Sequence, residues 1–182
     1  MTPSPQPSDL RSHIRSVPDF PKAGVMFRDI TPLLLAPEVF REALRLMREP
    51  YQPGDVDLVI GAESRGFIFG APLALDLDAG FVPIRKMGKL PAEIVSVTYD
   101  LEYGTDTIEM HTDAVHEGTR VLMVDDLLAT GGTMAASCKM VEEAGGEIVG
   151  VEFLIELAFL NGRAKLEDYP VRSQIVYDDE SP

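Results

Sequence analysis

The sequence predicts an α/β domain on a mostly parallel sheet flanked by helices, and three observations predict it. Short, almost continuously apolar runs (Val56–Ile60, Phe81–Ile84, Val121–Val124 and Ile148–Leu157) alternate with stretches of helical periodicity. Strands without polar alternation are buried on both faces, which is the condition of a parallel sheet covered by helices. Between the runs lie Gly- and hydroxyl-rich loops that open helices, Gly61–Gly66 and Asp125–Thr133. One region breaks the pattern: Ile94–Tyr99 sets Val95, Val97 and Tyr99 against Ser96 and Thr98, and Thr107–His111 alternates again beyond a Tyr103–Asp106 turn. That is an antiparallel hairpin inserted in the frame, within residues 92–114.

Taken in order, residues 1–8 are rich in Pro and Ser and read as a mobile tail. Ser8 suits the cap of a short helix with Leu10, Ile14 and Val17 on one face. Residues 18–37 are dense in proline and read as irregular, with Phe27-Arg28-Asp29-Ile30 at their centre. Pro37 fits the first turn of a helix that places Phe40, Ala43, Leu44 and Met47 together. After the Val56–Ile60 strand and its loop, a helical stretch runs to about Leu77, with Pro72 as a kink or its true start. Met134, Cys138 and Val141 mark a later helix face, which Gly145-Gly146 ends. Residues 178–182 read as a solvated acidic tail.

Composition narrows the function. At 182 residues the chain has room for one domain. Its net charge of −14 repels polyanions, so nucleic acid and anionic membrane are poor partners. One cysteine, Cys138, forms no internal disulfide, and His13, His111 and His116 make no zinc spacing. No apolar run approaches a membrane span, and the N-terminus lacks a signal peptide's cationic and apolar regions; a cytoplasmic protein is expected.

Ligands of open α/β sheets bind beyond the carboxyl ends of the strands, where the two loops lie. In Asp125-Asp126-Leu127-Leu128-Ala129-Thr130-Gly131-Gly132-Thr133 the glycines let several N–H groups face one point. Threonine hydroxyls add donors, and a helix N-terminus adds positive potential. A phosphomonoester suits that cradle, and the two aspartates lie about a ribose away, placed to accept from vicinal hydroxyls. A Walker B strand would need a G-x-x-x-x-G-K-[ST] loop, yet Gly61–Gly66 is followed by Phe67. No two glycines are spaced i, i+2, which excludes a Rossmann fingerprint.

Ala62-Glu63-Ser64-Arg65-Gly66 also approximates a hydrolase nucleophile elbow, but His111 and His116 both precede the Asp125 loop, against the required order of acid and then histidine. A second anion site explains the loop better. Ser64 and Arg65 would face it, with Arg85, Lys86 and Lys89 one strand away: four clustered cations in an acidic chain, suited to pyrophosphate.

Val121–Thr133 resembles the signature string of the type I phosphoribosyltransferases. Phe27-Arg28-Asp29-Ile30-Thr31-Pro32, Glu63-Ser64-Arg65-Gly66-Phe67, Arg85-Lys86-Met87-Gly88-Lys89-Leu90-Pro91, Leu101-Glu102-Tyr103-Gly104, Ile155-Glu156-Leu157 and Gly162-Arg163 follow that family in order, in the form of its adenine-using branch. The resemblance spans about Ile14 to Leu166, with Ala23 where a proline is common. It implies the type I phosphoribosyltransferase fold, with an N-terminal base-binding segment. It implies purine salvage by transfer from 5-phosphoribosyl 1-pyrophosphate (PRPP) to N9 of adenine, giving AMP and pyrophosphate, with Mg²⁺, in a homodimer.

Residue by residue, the resemblance implies that Asp125 and Asp126 hold the ribose hydroxyls and that Ala129, Thr130, Gly131, Gly132 and Thr133 cradle the 5-phosphate. The Glu63–Ser64 peptide would be cis, its amide turned to pyrophosphate, which Arg65, Arg85 and Lys89 would help neutralise. Phe27 would stack on the purine, with the Met26 backbone and Arg65 reading its edge. Ala129 stands where the branch using hypoxanthine and guanine usually carries an aspartate; the hairpin's Glu102 would act in its place on a purine proton, catalytic together with Arg65. Tyr103 would be a hood residue on the flexible loop. Another base (xanthine, orotate or another purine) or a non-catalytic PRPP-sensing regulator are the alternatives.

Overall fold

The computed structural model describes residues 7–100 and 104–181. Its elements are α1 (Pro7–Ser12), β1 (Arg15–Val17), β2 (Phe27–Asp29), α2 (Thr31–Leu35), α3 (Pro37–Arg48), β3 (Leu58–Ala62), α4 (Gly66–Asp76) and β4 (Gly80–Lys86). They continue with β5 (Ile94–Asp100), β6 (Thr105–His111), β7 (Arg120–Leu128), α5 (Gly132–Glu143), β8 (Glu147–Leu157) and β9 (Val171–Tyr177). Seven strands form one sheet in the order β5-β6-β4-β3-β7-β8-β9. Pairing is parallel from β4 through β9 and antiparallel at β4–β6 and β5–β6, so the inserted hairpin extends one edge.

The apolar runs are explained by two cores. Leu122 and Val124 pack with α3 and α4 residues such as Ala43, Met47, Phe69 and Leu73. Val121 and Met123, their neighbours in sequence, pack with Met134, Cys138 and Val141 of α5. Successive strand side chains point to opposite faces, so a strand serving both cores must be apolar at every position. Phe69 and Phe153 are almost fully buried, one in each core. Each such side chain stabilises the fold by about 1.5–3 kcal/mol.

Several expectations need correction. Ser8 lies within α1 rather than ahead of it, and Val17 lies on β1. Residues 18–37 are not irregular throughout: Phe27–Asp29 pairs antiparallel with Arg15–Val17, and Thr31–Leu35 is a helical turn. The Asp29 carboxylate starts that turn, accepting from the Thr31 amide at 2.9 Å and the Thr31 hydroxyl at 2.8 Å. That amide bond, more than the salt bridge to Arg15 at 3.5 Å, holds the Asp29 carboxyl below its ordinary range. Pro72 lies inside α4, which continues past it. β7 runs four residues beyond Val124, because Asp125–Leu128 keep pairing with β8, and the loop proper is only Ala129–Gly131.

Candidate active site

From β3 the chain turns to β4 on one side of the sheet, while β7, β8 and β9 lie on the other. The crevice between the carboxyl ends of β3 and β7 is therefore the point where strand order reverses, the preferred ligand position in an open α/β sheet. Both anion loops border it: Glu63–Gly66 leaves β3 and Ala129–Thr133 leaves β7.

The loop expected to cradle a phosphate is built on glycine. Gly131 has φ +75° and caps α5 at its N-terminus. A Cβ on Gly131 would stand 2.4 Å from the Gly162 carbonyl oxygen, and one on Gly162 would stand 2.1 Å from the Ala129 carbonyl oxygen. Two backbones thus lie against each other with no space for a side chain. The cavity beside the Ala129–Gly131 loop is about 90 Å³, lined by Asp125, Leu127–Met134 and Phe153. The Tyr99 hydroxyl is 2.9 Å from Thr133 Oγ1, tying the hairpin to the start of α5. Tyr99 and Gly162 are the residues sequence reading missed as parts of the site. The alternation of Val95, Val97 and Tyr99 was the available signal for the first; for the second it was the Gly162-Arg163 segment shared with the family.

Asp125 is half-buried and its Oδ1 accepts from the Asp126 amide at 2.8 Å, while Asp126 is buried. Burial pushes both carboxyls upward; the Asp126 charge adds to the effect on Asp125, and the Arg65 guanidinium opposes it on Asp126. Arg65 Nε lies 3.1 Å from Asp126 Oδ2, and its guanidinium lies 5.4 Å from the centre of the Phe27 ring. One side chain therefore spans the ribose and base positions inferred from sequence. Phe27 and Arg65 line an apolar groove of about 470 Å³ with Val17, Phe20, Ile30 and Ile68. Met26 is half-buried immediately ahead of β2.

The Glu63–Ser64 peptide is cis. The cations expected at pyrophosphate gather on the Glu63 carboxylate: Lys89 Nζ is 2.5 Å from Oε1, and Arg85 Nε is 3.3 Å from Oε2, which also accepts from the Lys86 amide at 2.9 Å. Partial burial pushes Glu63 up, but these three donors outweigh it and hold the carboxyl at about 2. Lys86 itself pairs with Asp106 at 3.3 Å. Among the described residues, no group of three His, Cys, Asp or Glu side chains could hold a metal. Glu102 and Tyr103 lie outside the described residues.

The strand order thus reverses beside a glycine-built loop and two adjacent carboxylates. Residues 31–179 match the phosphoribosyl transferase domain, and the chain belongs to that family. Its relatives include adenine phosphoribosyltransferases of Acetivibrio thermocellus, 56% identical over 170 residues (93% of this chain, 99% of the relative), and of Solibacter usitatus, 57% identical over 170 residues (93% and 98%). The crystal structure of the Rhodothermus marinus adenine phosphoribosyltransferase superposes with a TM-score of 0.90 at 53% identity, covering 94% of this chain and 98% of that one. The Saccharomyces cerevisiae enzyme, solved with an imino-altritol bisphosphate and adenine, gives 0.86 at 40% identity, covering 92% and 97%.

Proposed function

We propose that the chain transfers the 5-phosphoribosyl group of PRPP to N9 of adenine, yielding AMP and pyrophosphate in purine salvage. The observation that carries this reading is Arg65, which touches Asp126 on one side and faces Phe27 on the other. One side chain thereby links the carboxylate assigned to the sugar with the ring assigned to the base. The relatives, adenine phosphoribosyltransferases at more than half identity over nearly the whole chain, support the choice of base.

In this mechanism Ala129–Thr133 hold the 5-phosphate, Asp125 and Asp126 accept from the ribose hydroxyls, and Phe27 stacks on the purine, with the Met26 backbone and Arg65 at its edge. N9 bonds to ribose C1 with inversion as the C1–oxygen bond to pyrophosphate breaks, through an oxocarbenium-like state. Negative charge grows on the leaving group, so Arg65, Arg85, Lys89 and the Ser64 amide contribute electrostatically. Glu63 keeps Arg85 and Lys89 together before pyrophosphate competes for them. Glu102 takes a proton from the purine, and Tyr103 covers the site.

Mg²⁺ would be carried by the oxygens of PRPP and pyrophosphate rather than by protein ligands, so no dedicated cage is required. It would supply charge neutralisation at the pyrophosphate. A homodimer in the cytoplasm completes the proposal. The exposed apolar Leu35 and Leu75, at 80% and 83% exposure, support association between copies. Sedimentation at micromolar concentration would show a two-chain species.

The test is incubation of purified protein with PRPP, Mg²⁺ and, separately, adenine, hypoxanthine, guanine, xanthine and orotate, with nucleotide read by chromatography. AMP alone supports the reading. Product from another base overturns the roles of Ala129 and Phe27, and no product with PRPP still bound makes the chain a PRPP-sensing regulator. Glu102→Gln should lower turnover while PRPP binding stays unchanged; unaltered turnover removes Glu102 from the mechanism.

A further inference from the structure

The β1–β2 ribbon has only three residue pairs, Arg15–Asp29, Ser16–Arg28 and Val17–Phe27. A ribbon this short cannot hold itself and must be held by what it packs on. Its two faces meet different surroundings, since alternate residues of a strand point opposite ways. Val17, Phe27 and Asp29 line the groove that also contains Arg65. Ser16 turns the other way, into a polar cleft of about 250 Å³ with Arg11, Tyr177, Asp178, Asp179 and Ser181.

Arg28 holds the two sides together. It is 3% exposed, and its guanidinium lies over the Tyr177 ring at 3.9 Å. Nη1 donates to Ser16 Oγ at 2.5 Å, and Nη2 donates to the Ser181 carbonyl, also at 2.5 Å. The Asp179 carboxylate shapes that end of the chain, accepting from the Ser181 amide at 2.9 Å and from the Ser181 hydroxyl. Arg11 adds a second cation to the Tyr177 ring at 4.4 Å and donates to the Val176 carbonyl. A cation on an aromatic face contributes about 0.5–2 kcal/mol, more as water is excluded.

We propose that Arg28 is a positioning residue for the base: by joining β2 to Tyr177 and the Asp178–Ser181 segment, it sets the placement of Phe27 and so the affinity for the purine. The inference rests on the assignment of Phe27 to the base site. Among the described residues, the hydrogen bonds and ring contacts of Arg28 and of this segment include neither the Ala129–Thr133 loop nor the Glu63 cations, so the effect is expected to fall mainly on adenine.

Steady-state kinetics on the full chain test this, varying adenine and PRPP separately in the wild type and in Arg28→Lys, Asp179→Ala, Tyr177→Leu and Tyr177→Phe. Arg28→Lys keeps the charge but loses the two-armed contact. It and Tyr177→Leu should raise the adenine KM about 5- to 10-fold, Asp179→Ala about 3-fold, with the PRPP KM within twofold. Tyr177→Phe keeps the ring and should match the wild type. Parallel changes in both KM values, or an unchanged adenine KM in Asp179→Ala and Tyr177→Leu, overturn the proposal. A wild type that makes no AMP overturns the functional reading and this inference with it. Normal wild-type turnover beside unaffected variants overturns the inference alone.

Discussion

Asp125 and Asp126 are adjacent carboxylates in a confined place, and their chemistry follows from that. Burial raises both, and Arg65, 3.1 Å from Asp126, pulls only partly the other way. A proton is thus retained to higher pH than on an exposed carboxylate, and a protonated carboxyl is a weaker acceptor for a ribose hydroxyl. PRPP affinity should therefore rise as pH increases and these carboxyls lose that proton. Asp125→Asn and Asp126→Asn should each lower kcat/KM for PRPP roughly 10- to 100-fold, the range for losing a hydrogen bond to a charged acceptor, and should flatten that pH dependence. Pre-steady-state binding at pH 5, 6 and 7 would show both effects. A slope retained in both variants would place its origin elsewhere.

Among elements, the phosphate loop depends on a neighbour distant in sequence. Ala129–Gly131 lies against the Gly162 turn, backbone on backbone. The Arg163 guanidinium secures that turn to the Glu156 carboxylate, with Nε to Oε1 at 3.0 Å, and to the Val171 carbonyl at 2.8 Å. Gly162→Ala should weaken ribose 5-phosphate binding at least 10-fold in calorimetry, because the new methyl would displace the Ala129 carbonyl; affinity for free adenine should change less. At the hairpin, Tyr99→Phe removes the 2.9 Å contact with Thr133. One hydrogen bond of this kind is worth about 0.5–1.5 kcal/mol, so a 2- to 10-fold fall in kcat/KM is expected.

Across the whole molecule, the sheet's outer region carries an unusual acid. Glu152 on β8 is fully buried, with the Tyr51 hydroxyl 3.3 Å from Oε1 and Gln174 Nε2 3.0 Å from Oε2. Burial pushes it up to about 7, although Arg172 at 3.7 Å and the two hydrogen bonds pull down. The folded state then holds a proton that the unfolded chain releases near the ordinary value of 4.5. Stability should fall as pH rises between those values, by about 3 kcal/mol in all at about 1.4 kcal/mol per unit. Glu152→Gln should lose that fall, so urea unfolding at pH 5 and pH 8 should show a smaller difference in the variant. An equal difference in both proteins would show that Glu152 does not govern it.

What the sequence determined by itself was set by short-range rules. Strand and helix periods repeat within ten residues, so Val121–Val124, Ile148–Leu157 and the Met134–Cys138–Val141 face could be read directly. A strand buried on both faces has no polar residue to conceal it, and a tight turn into a helix needs glycine, so the loop between β7 and α5 was legible too. The tertiary structure alone decided which distant segments meet. The β1–β2 pairing, the Gly162 turn beneath the Ala129–Gly131 loop, the gathering of Arg85 and Lys89 on Glu63, and the Arg28–Tyr177 stack join residues 10 to 149 positions apart. Such contacts leave no period in the chain: each depends on where the sheet places the two ends, and a glycine or arginine has the same local appearance whether or not a partner awaits it.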